Sequence, residues 1–493
     1  MDEYQDYYAI LGLDREATPD DIRRAYHRQA RKLHPDVNQE TGATEVFLQI
    51  QTAYDVLTDP ATRAEYDKTL PPLPDAAPLV ELSTIYSRPS LIRLNEPQLI
   101  YVLIELAAPE YAQTGPSLPL NVCLVIDRST SMQGERMDMV KSAAIELVRQ
   151  IRPEDTISIV AFSDRAETLI SAGQRLSRNA IEDQIKRITA GGGTEIYHGL
   201  DSGYMEVRSK ANRNSVNHII LITDGRTYGD EEQCMRIAEQ AVAHGIGISG
   251  LGIGSEWNDA FLDSLAARTG GNSVFVSHAG ELKQFLWQKF RGLGKVYAER
   301  VSLELFLNPG VELTYAFRLS PEVSLLENYS KIPIGNIPLG SNLAILLELK
   351  APPLDASMDQ LSLAEGKITL DIPGASKSGL RLPIMLSRPV STAPLVQPPP
   401  TRLLQAMSRL NLYRMQERAH QKLAEGQQES ATRHLQHLAT HLFAQGKQEL
   451  ARTVLSEIEH IHRDQNISEE GNKIIKYGTR ALLLPAGFSD SIT

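Results

Sequence analysis

The stretch Asn121 to Ser131, NVCLVIDRSTS, decides how the rest of the chain folds. Its five apolar or small residues in a row, Val122 to Ile126, lack polar alternation, which predicts a strand covered on both faces. The run ends in Asp127, Ser129 and Ser131, oxygen-bearing side chains at i, i+2 and i+4. Such a set is costly to bury without partners. Carboxylate and hydroxyl oxygens on a turn at a strand's carboxyl end are also the ligands that hard divalent cations prefer.

Working downstream, helices are expected at about Met137–Ile151, Arg178–Ile188, Ile196–Arg208, Glu231–His244, Asp259–Arg268 and Glu281–Gly292. Strands are expected between them at Thr156–Phe162, Ala166–Ile170, His218–Thr223, Ile246–Ile253 and Ser273–Val276. Such alternation predicts a doubly wound, mostly parallel α/β sheet with helices on both faces, which binds ligands beyond the carboxyl ends of its strands. Two more loops reach that edge. One carries Thr194 after Gly191, Gly192 and Gly193, whose small size allows close approach; the other carries Asp224 in Leu221-Ile222-Thr223-Asp224-Gly225.

The set Asp127, Ser129, Ser131, Thr194 and Asp224 resembles the metal-ion-dependent adhesion site of von Willebrand factor type A domains, over about residues 119–294. The resemblance implies that these five residues are ligands, some through water, for Mg2+ or another divalent cation such as Ca2+ or Mn2+. Two carboxylates and three neutral hydroxyls leave a dication short of its six ligands, so an acidic side chain from a partner protein can complete the shell. An aspartyl phosphatase would carry Asp where Ser129 stands, and a nucleotide-binding loop would need lysine within Gly192-Gly193-Thr194-Glu195. No nucleophile–base pair accompanies the site, so a magnesium-dependent hydrolase ranks third and the chain is expected not to be an enzyme. His198 and His218 read as structural.

Working upstream, Asp6–Leu13 (DYYAILGL) reads as a short helix, and Thr18-Pro19-Asp20 opens another that runs to about Leu33. His34-Pro35-Asp36 follows, then helices from about Thr44 to Leu57 and Pro60 to Lys68. By itself the tripeptide is a proline helix stop. With YYAILGL before it and AYDVLTDPATRAEYD after it, the segment resembles the all-α J-domain of DnaJ-type co-chaperones over about residues 5–69. That resemblance implies docking on a DnaK-type chaperone and triggering of its ATPase by His34, Pro35 and Asp36, with a docking face that includes Arg23, Arg24, His27, Arg28 and Lys32. Residues 1–70 carry eight Lys or Arg and fourteen Asp or Glu, yet five of the eight cations fall within Arg23–Lys32. A basic stripe on an acidic domain fits an acidic protein partner.

The remaining segments frame these two. Residues 71–78 form a proline-rich linker, and residues 79–118 contain short strands such as Leu99–Leu106. Residues 295–388 are strand-like again, with runs at Val301–Leu307, Leu343–Leu349 and Ile368–Ile372. The two groups are expected to pair as one β-sandwich into which the type A domain, 119–294, is inserted. Residues 389–400 read as a second proline-rich linker, and residues 401–462 as a helical segment with amphipathic patterns at Leu403–Leu423, Gln428–Ala444 and Gln448–Ile461. The near-echo of Ala424-Glu425-Gly426-Gln427 and Ala444-Gln445-Gly446-Lys447 suggests a tandem repeat. Residues 463–493 read as a tail, with Ile474–Leu484 docking irregularly.

A net charge of −11 argues against a nucleic-acid binder. Two distant cysteines, Cys123 and Cys234, favour a reducing compartment. The N-terminus lacks a secretory pattern and no run of about 18 apolar residues occurs, so a cytoplasmic protein without a membrane span is expected. The combined expectation is a multidomain α/β co-chaperone that stimulates a DnaK-type ATPase and grips an acidic group on a client. The alternative is a metal-dependent scaffold of an ATPase-associated complex, with the J-domain assisting only assembly.

Overall fold

The helical spacing near the N-terminus yields α1 (Tyr7–Leu11), α2 (Pro19–Leu33), α3 (Ala43–Thr58) and α4 (Pro60–Thr69). The computed structural model describes residues 7–11, 13, 19–33, 43–69, 79–109, 118–174, 176–212, 215–226, 229–326, 331–355, 358–373, 377–393 and 398–482. It divides into two compact units, Met1–Leu79 and Val80–Thr493. In the first, the apolar stripes meet in a small core of Tyr8, Leu11, Ile22, Ala25, Ile50, Ala53 and Leu57. Arg63 Nε donates to the Tyr8 hydroxyl at 2.8 Å and the Tyr7 amide donates to the Tyr66 hydroxyl at 2.9 Å, tying α4 to α1.

The second unit begins with β1 (Glu81–Tyr86), β2 (Leu91–Ile92) and β3 (Gln98–Ala107). The α/β segment follows as β4 (Leu120–Asp127), α5 (Glu135–Arg149), β5 (Thr156–Phe162), β6 (Ala166–Ile170), α6 (Arg178–Lys186) and α7 (Ile196–Lys210). It continues through β7 (Val216–Thr223), α8 (Glu231–Ala243), β8 (Ile246–Ile253), α9 (Asp259–Arg268), β9 (Ser273–Val276) and α10 (Ala279–Leu293). The sheet order is β6-β5-β4-β7-β8-β9, parallel except for the antiparallel edge strand β6. All eight residues of β4 are buried, as an unalternated apolar run requires. Val122, Leu124 and Ile126 face a core with Val140, Ile185 and Leu286, while Cys123 and Val125 face Leu200, Ile237 and Leu262 on the other side. Both cysteines are free.

Glycine sets how closely α7 lies on the sheet. A Cβ at Gly203 would stand 2.4 Å from Val125 Cγ2, and one at Gly199 would stand 2.5 Å from the Phe162 ring, so a larger residue would lift the helix off β4 and β5. The loop that carries Thr194 leads directly into this helix, so the close packing also places Thr194 over the end of β4.

After α10 come β10 (Val296–Leu307), β11 (Glu312–Ser320), β12 (Ser324–Leu325), β13 (Ile332–Pro338), β14 (Asn342–Ala351), β15 (Gln360–Ile372) and β16 (Lys377–Ser391). Two five-stranded sheets result, β1-β3-β14-β11-β12 and β13-β10-β15-β16-β2. β3 pairs along its whole length with β14, from Gln98 opposite Ala351 to Ala107 opposite Asn342. Strands on either side of the α/β segment therefore build one sandwich, with that segment inserted between them. β16 runs three residues into the stretch read as linker, because Val390 and Ser391 pair with Leu91 and Ile92 of β2. The other linker, residues 71–78, lies outside the described residues.

Four helices close the described chain: α11 (Thr401–Ala424), α12 (Gln428–Ala444), α13 (Gln448–Asp464) and α14 (Glu469–Ala481). Leu403, Ala406, Leu410 and Tyr413 of α11 pack on Leu103, Phe317 and Leu346 of the first sheet. Arg414 is ion-paired there with buried Glu348 and donates to the Tyr101 hydroxyl at 3.1 Å. Leu435, Leu438, Val454, Ile458 and Ile475 join the bundle into its own core. The expected irregular tail at Ile474–Leu484 is thus corrected: its residues through Ala481 belong to α14. That helix starts on the Ser468 hydroxyl, which accepts from the Gly471 amide, with Glu469 and Glu470 favourably placed in its first turn.

Candidate metal centre

Parallel register brings the site together. Pairing of β4 with β7 sets Ile126 opposite Ile222, so Asp127 and Thr223 emerge side by side at the carboxyl edge of the sheet. Thr223 Oγ1 donates to Asp127 Oδ2 at 2.6 Å, and the Ser129 amide donates to Asp127 Oδ1 at 2.7 Å. A single 3-10 turn at Thr130–Met132 then curls the chain. Ser129 Oγ and Ser131 Oγ approach to 3.1 Å, and Ser131 Oγ donates to Asp224 Oδ1 at 2.7 Å.

The third loop is fastened to the first by its backbone. The Gly191 amide donates to the Arg128 carbonyl at 2.7 Å, and the Thr130 amide and hydroxyl both donate to the Gly192 carbonyl at 3.0 Å. Gly192 has φ +90°, which a residue with a Cβ adopts only under strain, and a Cβ at Gly193 would stand 2.6 Å from Asp164 Oδ1. Thr194 is buried, and its hydroxyl lies where a Cβ at Gly225 would meet it at 3.0 Å. The five residues that the sequence singled out therefore converge on one edge. Asp127 and Asp224 are fully buried, Ser129 and Thr194 are buried, and Ser131 is exposed.

Electrostatics strain the pair. Burial raises the Asp127 carboxyl to about 6, against the hydrogen bonds from Thr223 and Ser129 that lower it, and the Asp224 charge adds to the rise. Donor chemistry fits a hard divalent cation, because two buried carboxylates and three hydroxyls converge on one edge.

Sequence reasoning missed three contributors. Thr223 orients Asp127, Asp164 holds the glycine loop through the Gly193 amide at 2.7 Å, and Arg136 pairs with Asp224. Thr223 was findable, because the residue before Asp224 must lie beside Asp127 in a parallel pair; the other two depend on loop geometry. Around the rim, Arg128 pairs with Glu167 at 3.2 Å, and Arg226 pairs with Glu469 of α14 at 2.7 Å. His198 is exposed and faces Glu195 at 3.0 Å, while buried His218 shares a hydrogen bond with Ser249 at 3.0 Å, so neither joins the site.

In the first unit, Arg23, Arg24 and His27 lie exposed on α2, with Arg24 bonded to Asp21 at 2.8 Å. The side chains of Arg28 and Lys32, and all of His34, Pro35 and Asp36, lie outside the described residues.

Comparison with known proteins follows the same divisions. Family models match residues 6–67 as a DnaJ domain, 121–288 as a von Willebrand factor type A domain, and 401–485 as the Sll0103-like C-terminal alpha-helical domain. Protein sll0103 of Synechocystis is 30% identical over 335 residues, which are 65% of this chain and 77% of that protein. The chaperone protein DnaJ of Gloeothece citriformis is 59% identical over 63 residues, covering 13% of this chain and 17% of that one. A von Willebrand factor type A protein from Catenulispora acidiphila shares the fold, with a TM-score of 0.63 at 14% identity over 82% of this chain and 97% of that chain. With its type A domain, its matching helical domain and its DnaJ segment, the chain belongs to the von Willebrand factor type A family represented by sll0103 and carries a J-domain at its N-terminal end.

Proposed function

We propose that the chain is a DnaJ-type co-chaperone whose type A domain holds a client or assembly partner through a divalent cation. The observation that carries this reading is the meeting of Asp127, Ser129, Ser131, Thr194 and Asp224 at one sheet edge, with both carboxylates buried. A bound divalent ion would supply a positive centre with room for one more oxygen ligand, and a carboxylate of the partner is the group that fits it. Thr223 and the Ser129 amide fix the Asp127 carboxylate, and the glycine loop presses Thr194 toward Gly225, so the ligand set is held before any partner arrives. The basic face of α2 with His34, Pro35 and Asp36 would recruit a DnaK-type chaperone and stimulate its ATPase. Among the described residues, no helix is long and apolar enough to cross a membrane.

Capture experiments test the grip. Wild-type chain in Mg2+ is expected to retain a partner that is lost on chelation, and Asp127→Ala is expected to lose it in both conditions. Equal capture in all four conditions would refute metal-bridged recognition.

A further inference from the structure

Arg136 lies in the first turn of α5, where the positive end of the helix dipole disfavours a cation. Its guanidinium nevertheless turns back to the site, with Nη1 at 2.5 Å from Asp224 Oδ2 and 3.5 Å from the Ser131 carbonyl. A slot accommodates it. Gly254, just beyond β8, has φ +70°, and a Cβ there would stand 3.0 Å from Arg136 Nη2 and 3.3 Å from Cζ.

The carboxylate oxygens of the site are each engaged within the protein. Thr223 and the Ser129 amide hold Asp127, while Ser131 and Arg136 hold Asp224. Among the described residues, Arg136 is the one cation in bonding range of either buried carboxylate. Two adjacent buried anions are otherwise uncompensated, and burial of unpaired charge is strongly unfavourable. The guanidinium therefore supplies the counter-charge that a divalent ion would supply in the same place.

We propose that Arg136 is a tethered counter-cation that competes with the divalent metal for Asp224, so that metal loading requires its release. This rests on the metal-dependent reading above and adds its regulation. The competition stabilises the metal-free site and weakens metal affinity, making occupancy responsive to the ion concentration rather than permanent. The side chain is 34% exposed, which gives it a route outward from Asp224.

Titration calorimetry of the full chain with MnCl2 and with MgCl2 tests this, alongside melting with and without the ion. Arg136→Ala and Arg136→Gln are both expected to bind the ion at least about tenfold more tightly than wild type, the factor that loss of one charged hydrogen bond corresponds to. Their metal-free forms are expected to melt lower than wild type and to gain more on adding metal. The glutamine variant keeps a polar side chain near Asp224 if alanine disturbs folding. Unchanged or weaker binding by both variants, with wild type binding normally, would overturn the counter-cation role and leave the metal site standing. Absence of binding by wild type and both variants would overturn the metal-dependent reading itself, and this role with it.

Discussion

Asp263→Ala is expected to lower the stability of the type A domain with its docked C-terminal helix by about 3–5 kcal/mol, the range for removing one partner of a buried ion pair. Asp263 lies on α9 and receives Arg480 of α14 at 2.7 and 2.8 Å and Lys476 at 2.9 Å, with the Tyr477 hydroxyl donating at 3.1 Å and Ser273 also bonded. The Arg480 side chain is only 5% exposed, so loss of the carboxylate leaves a guanidinium buried without its charge partner. Lys476 would keep Asp259, but Arg480 has no second acid among the described ion pairs. Loss of amide-exchange protection along α14 is the expected signature, and unchanged protection would contradict the docking role.

The same contact sets an acid limit. Burial alone would raise the Asp263 pKa, but the Arg480 and Lys476 charges outweigh it and hold the carboxyl well below the usual range. An acid depressed in the folded state contributes stability that is complete above its unfolded value, near 4, and is lost as pH falls from there through the folded value. Release of α14 is therefore an acid event rather than an alkaline one. Because Glu469 of the same helix pairs with Arg226, two residues beyond Asp224, the docked helix also buttresses one rim of the metal centre.

The second large effect concerns the other end of the chain. His34→Gln is expected to reduce stimulation of a DnaK-type ATPase to the chaperone's basal rate while leaving the helical circular dichroism of the chain unchanged. In sequence His34 falls between α2 and α3, whose join is made by Ile22, Ala25, Ile50, Ala53 and Leu57. Steady-state ATP hydrolysis with wild type and variant decides it; normal stimulation by the variant would remove the co-chaperone role.

Much of this architecture was legible in residues 121–131 and their surroundings. An apolar run without alternation meant a central strand, and the oxygen-rich loops after β4 and β7, with the glycine loop that leads into α7, meant one edge. Pairing of Leu99–Leu106 with a later strand was also readable, because residues 79–118 are too few to form a domain of their own. Helix α14 was not readable. Gly471 and Gly478 weaken its helical propensity, yet the packing requires them: a Cβ would stand 2.1 Å from Glu457 Oε1 at the first and 2.8 Å from Leu450 at the second. Tertiary contact, including Asp263, stabilises what local sequence preference does not. Arg136 was equally silent, since an arginine on a helix is unremarkable until Asp224 is seen beside it.

The central claim is that the sheet edge holds a divalent cation, and equilibrium dialysis of the full chain against Mn2+ tests it most directly. One ion per chain is expected for wild type, displaced by excess Mg2+, and none for the Asp127→Ala, Asp224→Ala double variant, with both proteins folded. Failure of wild type to retain the ion, or equal retention by the double variant, would contradict it.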